Sequence, residues 1–389
     1  MSSYISSNAN RFYTAVEAAY GQAASVVTVN RFPAVHLHAH QTLQVGRRFD
    51  KTGTRTFLGS SKSARRQTAF EVQTYLTSWS GSGGPSYGPL FQAALGAGST
   101  LSTGLIVASM PGPLQLQTTL PHGLGVGSAV GYGNEIRFVA ALIDNLNFVL
   151  NAPFKTAAQQ GTALAPALTY SLGNALPSVT IYDYWDPIAA VSRVIVGAAV
   201  EAFGFTVNGD FHEFTFSGPA ADLLDSASFV PGTSGLANFP VEPALETFDY
   251  SIVPGHLGEV WLGGPANQFF TLTSASLQLK NNVETRGHEY GSSIPMSIAP
   301  GPREVLSRFS LLAQDDAQTV ALYAASKQRQ PIPAMLQMGQ QQGQLAGIYM
   351  PQIVPEIPVF NDSETRLQWD FENNLAQGMS NDEIFIAFA

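Results

Sequence analysis

The sequence predicts a mainly β protein with few short helices, built as two copies joined near Pro187. The 389 residues include 36 glycines and 24 prolines but only 12% charged residues, a balance typical of short strands and turns rather than long solvated helices. The stretch F-T-V-N-G-D-F-H-E-F-T-F alternates apolar with polar residues around Asn208-Gly209, a dipeptide typical of hairpin turns. Because a single core stops growing at roughly 250 to 300 residues, we expect two domains.

The first half is expected to place strands on both sides of one short helix. Alternation of apolar and polar residues predicts the strands, and the run L-F-Q-A-A-L before Gly96 predicts the helix. In chain order, the expected elements are a helix or arm at 11–20, strands at 26–29, 35–45 and 68–79, a helix at 90–95, glycine-punctuated strands within 123–154, and a strand at 179–185.

The second half is expected to repeat this order. It contains the hairpin around Asn208-Gly209, strands at 269–279, 305–312, 345–350 and 365–372, a helix at 315–327, and a final apolar strand at 382–389. Prolines confine 352–360 to an edge or irregular segment. In each half a helix precedes a strand that contains a tryptophan, Trp185 or Trp369, which indicates an internal duplication.

Composition excludes several classes of site. Cysteine is absent, so the chain has no disulfide, no thiolate zinc site and no cysteine nucleophile. No basic segment followed by an apolar segment opens the sequence, and no run of about 18 apolar residues occurs in it. We therefore expect a soluble protein that is made in the cytoplasm and has no membrane partner.

Positive charge is concentrated in one segment of an acidic chain. The net charge is −9, yet seven of the 19 cations lie within 46–66, namely Arg47, Arg48, Lys51, Arg55, Lys62, Arg65 and Arg66. A loop this long inside a domain usually has a function. It could be a nucleic-acid patch, a solvated loop or a contact to an acidic neighbour of the same protein. The acidic remainder of the chain favours the third interpretation.

Two groups of side chains could carry chemistry. His36, His38 and His40 share one face of a strand, and two of them could chelate zinc; however, His36 and His40 would be about 13 Å apart, and we expect no metal. Asp183 and Asp186 could form a glycosidase pair, but we expect Asp183 to face solvent and Asp186 to begin a turn. No G-x-S-x-G elbow occurs, so neither catalytic nor cofactor residues are expected.

Three stretches resemble a known family. They are the C-terminal L-Q-M-G-Q-Q-Q-G-Q-L-A-G-I-Y-M-P with L-Q-W-D-F-E-N-N-L-A-Q-G-M-S-N-D-E-I-F-I-A-F, the central N-G-D-F-H-E-F-T-F-S-G-P-A-A-D-L, and the opening R-F-Y-T-A-V-E-A-A-Y-G-Q-A with R-F-P-A-V-H-L. In pattern and spacing they are similar to the tail tube proteins, or major tail proteins, of long-tailed bacteriophages (siphoviruses). The likeness spans nearly the whole chain.

The resemblance implies two tandem tail-tube-like β-sandwich or half-barrel domains. The first would span 1–187, with the long loop 46–66 and an extra β segment at 123–154, and the second would span 188–389. Members with one domain form hexameric rings, so a duplicated chain would form trimeric rings with pseudo-sixfold symmetry. The rings stack into a tube, and the 46–66 loop would reach the adjacent ring.

The resemblance also implies a place and partners for the protein. It would be a structural virion protein of the tail that is made in the host cytoplasm. Its partners would be other copies of itself and the terminator, tape measure and distal tail proteins. DNA would pass through the lumen without specific binding, since an acidic lining repels phosphate. No enzyme activity, cofactor or metal is implied.

Two other functions fit parts of the sequence. A head or baseplate protein of the same kind of virus would share the low charge and the β content. A carbohydrate-active β enzyme would use Asp183 and Asp186.

Overall fold

The computed structural model describes residues 4–61, 64–79, 84–187, 189–207, 209–245, 250–264 and 266–389. These residues are mainly β and include two α-helices, which confirms the predicted fold class. Up to residue 187 the elements are β1 (Asn10–Val16), β2 (Arg31–Phe32), β3 (Ala34–Gln44), β4 (Arg65–Tyr75), α1 (Gly88–Leu95), β5 (Gly96–Ser102), β6 (Val107–Ser109), β7 (Gln115–Thr118), β8 (Ala129–Tyr132), β9 (Glu135–Leu142), β10 (Asn147–Leu150), β11 (Ala167–Leu172) and β12 (Val179–Trp185).

The elements that follow include the predicted second helix. They are β13 (Arg193–Ala198), β14 (Ala202–Val207), β15 (Glu213–Ala220), β16 (Asp222–Asp225), β17 (Gly258–Leu262), β18 (Asn267–Gln268), β19 (Leu272–Lys280), β20 (Glu284–Thr285), β21 (Ile298–Ala299), β22 (Glu304–Leu312), α2 (Ala317–Gln328), β23 (Ile332–Met338), β24 (Ala346–Val354), β25 (Val359–Asn361), β26 (Gln368–Ala376) and β27 (Phe385–Phe388). The Asp316 carboxylate caps α2 by accepting the Thr319 N–H at 2.7 Å.

One extended antiparallel layer organises the fold. Its strands lie in the spatial order β3, β4, β15, β14, β19, β22, β26 and β25, and we call them the long layer. The predicted hairpin is formed by β14 and β15; Asn208 itself lies outside the described residues. Along β4, Phe70 and Val72 are buried while Glu71 is exposed, as strand alternation requires. One face of the long layer therefore faces the core and the other is polar.

A second layer covers the apolar face of the long layer. It contains β5, β11, β27, β24, β23 and β17, and helix α1 packs between the two layers. The Phe91 ring of α1 lies 5.0 to 5.2 Å, centroid to centroid, from the rings of Phe203, Phe214, Phe216 and Phe388. Phe388 belongs to the final apolar strand β27, whose neighbours are β11 and β24. The C-terminal strand is thus a central part of the core.

Two smaller sheets flank these layers. One has the order β16-β13-β12-β1-β2, and the other has the order β6-β7-β10-β9-β8. The second sheet contains the extra β segment expected at 123–154. The expectation of a helix or arm at 11–20 is wrong for most of its length, since β1 pairs with β12 from Asn10↔Trp185 to Val16↔Val179. Strand pairing over seven residues outweighs the local helix preference of the alanines.

Strands from both sides of residue 187 share sheets. β12 and β13 are neighbours in the first small sheet, and β14 and β15 lie between β4 and β19 in the long layer. Within that layer one arrangement occurs twice. β3, a long loop, β4 and α1 correspond to β19, a long loop, β22 and α2, and the hairpin β14/β15 corresponds to β25/β26. The repeated unit in space is a block of four strands.

A buried arginine fastens the second small sheet to the body. The Arg137 side chain is fully buried, and its Nη2 lies 3.1 Å from Glu135 and 3.5 Å from Glu259. Its Nη1 donates to Gln337 Oε1 at 3.1 Å, and its guanidinium lies 5.1 Å from the Trp261 ring centre. Burial lowers the pKa of Arg137 and raises that of Glu135. Each of these charges is therefore tolerated because the other is present.

Replacing Arg137 with methionine is expected to lower the free energy of unfolding by about 3 to 5 kcal/mol, because it leaves buried carboxylates unpaired. Urea unfolding would measure this loss. Lys155→Met is the matched control: it removes the exposed partner of Glu259 and should cost less than about 1 kcal/mol.

The loss in Arg137→Met should also shrink between pH 7 and pH 5. A carboxyl whose folded pKa is raised binds its proton more tightly in the folded state. Protonation of Glu135 at lower pH therefore restores stability. Equal losses in the two variants, or a loss that does not depend on pH, would contradict this account of the cluster.

Candidate assembly surfaces

The solvent-facing side of the long layer is polar and carries more acids than cations. We call it the polar face. Its strand positions include His36, His38, His40, Arg65, Glu71, Gln73, Glu213, Thr215, Thr206, Ser276, Gln278, Lys280, Glu304, Arg308, Ser310, Asp370 and Glu372. Five of these side chains are acidic and three are Lys or Arg. A phosphate backbone would meet a net repulsive surface here.

The long layer has outer strand edges at β3 and at β25, and next to β25 the end of β26 pairs with β24 of the second layer. Among the described residues, β3 has β4 as its only strand partner and β25 has β26 as its only strand partner. A strand at the end of a sheet presents unpaired N–H and C=O groups that can pair with another strand. Inside the layer, the two blocks meet where β14 pairs antiparallel with β19, from Ala202↔Lys280 to Val207↔Ala275.

Two long loops leave the same rim of the long layer. One spans 45–64, between β3 and β4, and the other spans 281–303, between β19 and β22. β3 and β19 are four antiparallel steps apart, so they run in the same direction and their following loops lie at the same end. We call this end the loop rim. The 281–303 loop contacts the first residues of β4: the Arg65 guanidinium lies 2.8 Å from His288 Nδ1, and the Arg66 N–H donates to Ser293 O at 2.7 Å.

The second loop was not predicted from the sequence. Its signal was the 25-residue interval between the strands expected at 269–279 and 305–312, which contains three prolines and three glycines. The 45–64 loop could be recognised in the sequence by its many cations, whereas the 281–303 loop has nearly balanced charge and offers no such signal.

The predicted inter-ring cations divide into two groups. Arg47, Arg48, Lys51 and Arg55 are exposed in the 45–64 loop, and Arg48 pairs with Asp50. Arg65 and Arg66 begin β4, and Lys62 lies outside the described residues. Arg66 Nη1 lies 2.8 Å from Asp222, whose side chain is 1% exposed. Arg66 therefore neutralises a buried acid of its own chain, a partner that sequence reasoning missed.

The histidine face lies on edge strand β3. The His36 and His38 rings are 5.0 Å apart, centroid to centroid, and His36 Nε2 lies 3.7 Å from Glu71 Oε1. Within the described ranges, no group of three or more His, Cys, Asp or Glu side chains is arranged to hold a metal ion.

Asp183 and Asp186 lie in different environments, one buried and one exposed. Asp183 is fully buried, and its Oδ2 accepts from Arg193 Nε at 3.0 Å and Nη2 at 2.6 Å, while its Oδ1 accepts from Asn10 at 3.2 Å. The expectation that Asp183 faces solvent is wrong, because Arg193 lies directly opposite it on β13. Asp186 is exposed.

The sequence matches no known family model, and no curated protein matches it either. Of the helices in the described ranges, none is long and apolar enough to cross a membrane.

Protein purified without an affinity tag is expected to contain no stoichiometric zinc or nickel, because His36, His38 and Glu71 leave a metal ion without a full set of ligands. Elemental analysis would measure the metal content, and addition of a chelator should leave the melting temperature unchanged. One bound ion per chain would overturn the interpretation of these histidines as a plain strand face.

Proposed function

We propose that this chain is a structural protein of a long-tailed phage virion, whose copies close into rings that stack into the tail tube. The observation that carries the proposal is the repeated block of four strands in one continuous layer. The two blocks are already joined edge to edge by β14 and β19, and the corresponding outer edges of β25 and β3 have no further strand partner among the described residues.

The internal joint supplies a template for the joint between chains. β25 occupies in its block the place that β14 occupies in the other, and β3 corresponds to β19. Pairing β25 of one copy with β3 of the next would therefore repeat a contact that the fold already makes. Three chains would contribute six blocks, which gives a trimeric ring with pseudo-sixfold symmetry.

The ring would turn the polar face towards a central channel. This face has five acidic and three Lys or Arg strand positions, so a DNA duplex in the channel would release few counterions and bind weakly. Weak binding suits a conduit through which DNA passes during delivery to the host. The terminator, tape measure and distal tail proteins would complete the tail at the two ends of the tube.

Proline substitution in β3 tests ring closure. Thr42 and Leu43 are adjacent exposed residues of this edge strand, and successive residues direct their N–H groups to opposite sides. Of Thr42→Pro and Leu43→Pro, one removes a donor to β4 and lowers the melting temperature, whereas the other removes a donor at the free edge.

The variant that retains its melting temperature should remain a folded monomer in analytical ultracentrifugation, while the unmodified chain forms threefold rings visible by electron microscopy. Closed rings from this variant would refute edge pairing through β3. A ring of six full-length chains would refute the duplicated-block arrangement.

Charge reversal in the 45–64 loop tests stacking. Replacing Arg47, Arg48, Lys51 and Arg55 with glutamate should leave the rings intact and prevent their stacking, because the loop rim would lose its positive charge. Sedimentation would separate rings from tubes. Arg66→Glu is the contrasting control: it places a second acid beside buried Asp222 and should lower the melting temperature instead. Tubes of normal length from the fourfold variant would contradict a bridging role for this loop.

A further inference from the structure

In the first block of the long layer, an aromatic residue of the helix covers two paired aromatic residues of the strands. The Phe91 ring of α1 lies 5.2 Å from the Phe214 ring of β15, centroid to centroid. Phe214 pairs with Phe205 of β14, which is only 3% exposed. On the other side of Phe205, β19 places Leu277 directly opposite it. The joint between the two blocks therefore contributes to the burial of Phe205.

The second block repeats this arrangement without the covering strand. The Tyr323 ring of α2 lies 5.4 Å from the Trp369 ring of β26, and Trp369 pairs with Phe360 of β25. The Phe360 ring stacks on Trp369 at 5.3 Å, yet Phe360 is 52% exposed. Phe360 thus has the place of Phe205 and, among the described residues, lacks the strand that covers Phe205 in the first block.

The exposed edge at β25 is apolar at more than one position. Ile357 is 54% exposed and Val359 is 62% exposed. An exposed apolar edge strand pairs readily with another strand. In the repeat, the strand that corresponds to β19 is β3, which lies at the opposite end of the same layer. The position in the repeat therefore selects β3 of a second copy as the strand that covers β25.

The strand pairs determine which residues of the two blocks are equivalent. In β4, Val72 pairs with Phe216, the next core-facing aromatic residue of β15 after Phe214. In β22, Phe309 pairs with Phe371, which has the same place in β26. Val72 and Phe309 therefore occupy equivalent positions.

These equivalent positions give the register of the joint between chains. On their other side, the two residues pair with Leu37 of β3 and Ala275 of β19. Two residues further along, Ala39 of β3 therefore corresponds to Leu277 of β19. Since Leu277 lies opposite the edge aromatic residue of the first block, Ala39 of the next copy would lie opposite Phe360.

We propose that β25 of one copy pairs antiparallel with β3 of the next copy in this one register, with Phe360 opposite Ala39 and Asn361 opposite His38. Strand alternation then directs Phe360 and Ala39 to the core-facing side and directs Asn361 and His38 to the polar face. This inference rests on the proposed ring and identifies the residues by which one copy recognises the next. The partner is another copy of the same chain.

The absence of cysteine from the chain permits a direct test of the register. Asn361→Cys and His38→Cys are prepared as separate proteins, mixed, assembled and then oxidised, so that any disulfide joins two copies. Disulfide-linked dimers are expected on a denaturing gel from the ring fraction, and neither variant alone should give them. Opposite Cβ atoms are about 4.5 to 5.5 Å apart and diagonal neighbours about 7 to 8 Å. Asn361→Cys mixed with His36→Cys or with His40→Cys should therefore give at least tenfold less dimer.

The internal joint supplies the matched positive control. Thr206 and Ser276 lie directly opposite each other there and have the places of Asn361 and His38. Oxidation of a chain that carries both Thr206→Cys and Ser276→Cys should therefore remove both free thiols. Rings in which position 361 crosslinks no better to position 38 than to position 36 or 40 would overturn the proposed register and leave the ring proposal intact.

A second measurement uses variants without cysteine. Phe360→Ala should raise the protein concentration required for ring formation at least tenfold, because it removes the side chain that β3 would cover, and Phe360→Leu should restore most of the loss. Phe270→Ala is the control, since Phe270 is 83% exposed and lies outside the joint. It should leave this concentration unchanged. Rings that form equally well without the Phe360 side chain would overturn its role at the joint, and failure of the unmodified chain to form any ring would overturn both proposals.

Discussion

The continuous hydrogen-bonded ladder from β3 to β26 is the constraint on which the rest of the structure depends. Each strand pairs antiparallel with its neighbour along this ladder, so a shift of one residue anywhere would turn a whole strand's apolar side chains to solvent. The Phe91 ring of α1 contacts strands of both layers and fixes this register from within. The repeated block of four strands, the loop rim and the polar face all follow from the order and direction of these strands.

Strand direction explains why the molecule has two different ends. An even number of antiparallel steps separates β3 from β19, which places both long loops at one end. The same parity places the β14/β15 turn and the start of β19 at the other end.

Several of the acids that make up the net negative charge are buried. Asp183, Asp222, Glu135 and Glu17 are all largely buried. Glu17, for example, accepts hydrogen bonds from Ser178, Thr180 and the Gly197 N–H. Such acids stabilise the fold through specific donors and contribute little to the field outside the molecule. The repulsion of phosphate that we propose for the polar face depends on the acids that project from it, and not on the net charge of −9.

The sequence alone determined the fold class and most of the elements. Alternation with a period of two predicted β3, β4, β19 and β22, and the end signals of α2 at Asp316 and Lys327 located that helix within two residues. These features are local, because strand alternation and helix capping depend on neighbouring residues in the chain. For the same reason, the cluster of cations at 46–66 could be identified without a structure.

Only the tertiary structure decided which elements meet. It paired β12 with β13 across the expected boundary at 187, set Arg66 on buried Asp222, buried Asp183 against Arg193, and brought the 281–303 loop against the start of β4. These contacts join residues that are 10 to 223 positions apart, and most of them follow from which strand edges pair. The choice of edges depends on the burial of whole sheet faces, which no local pattern in the sequence contains.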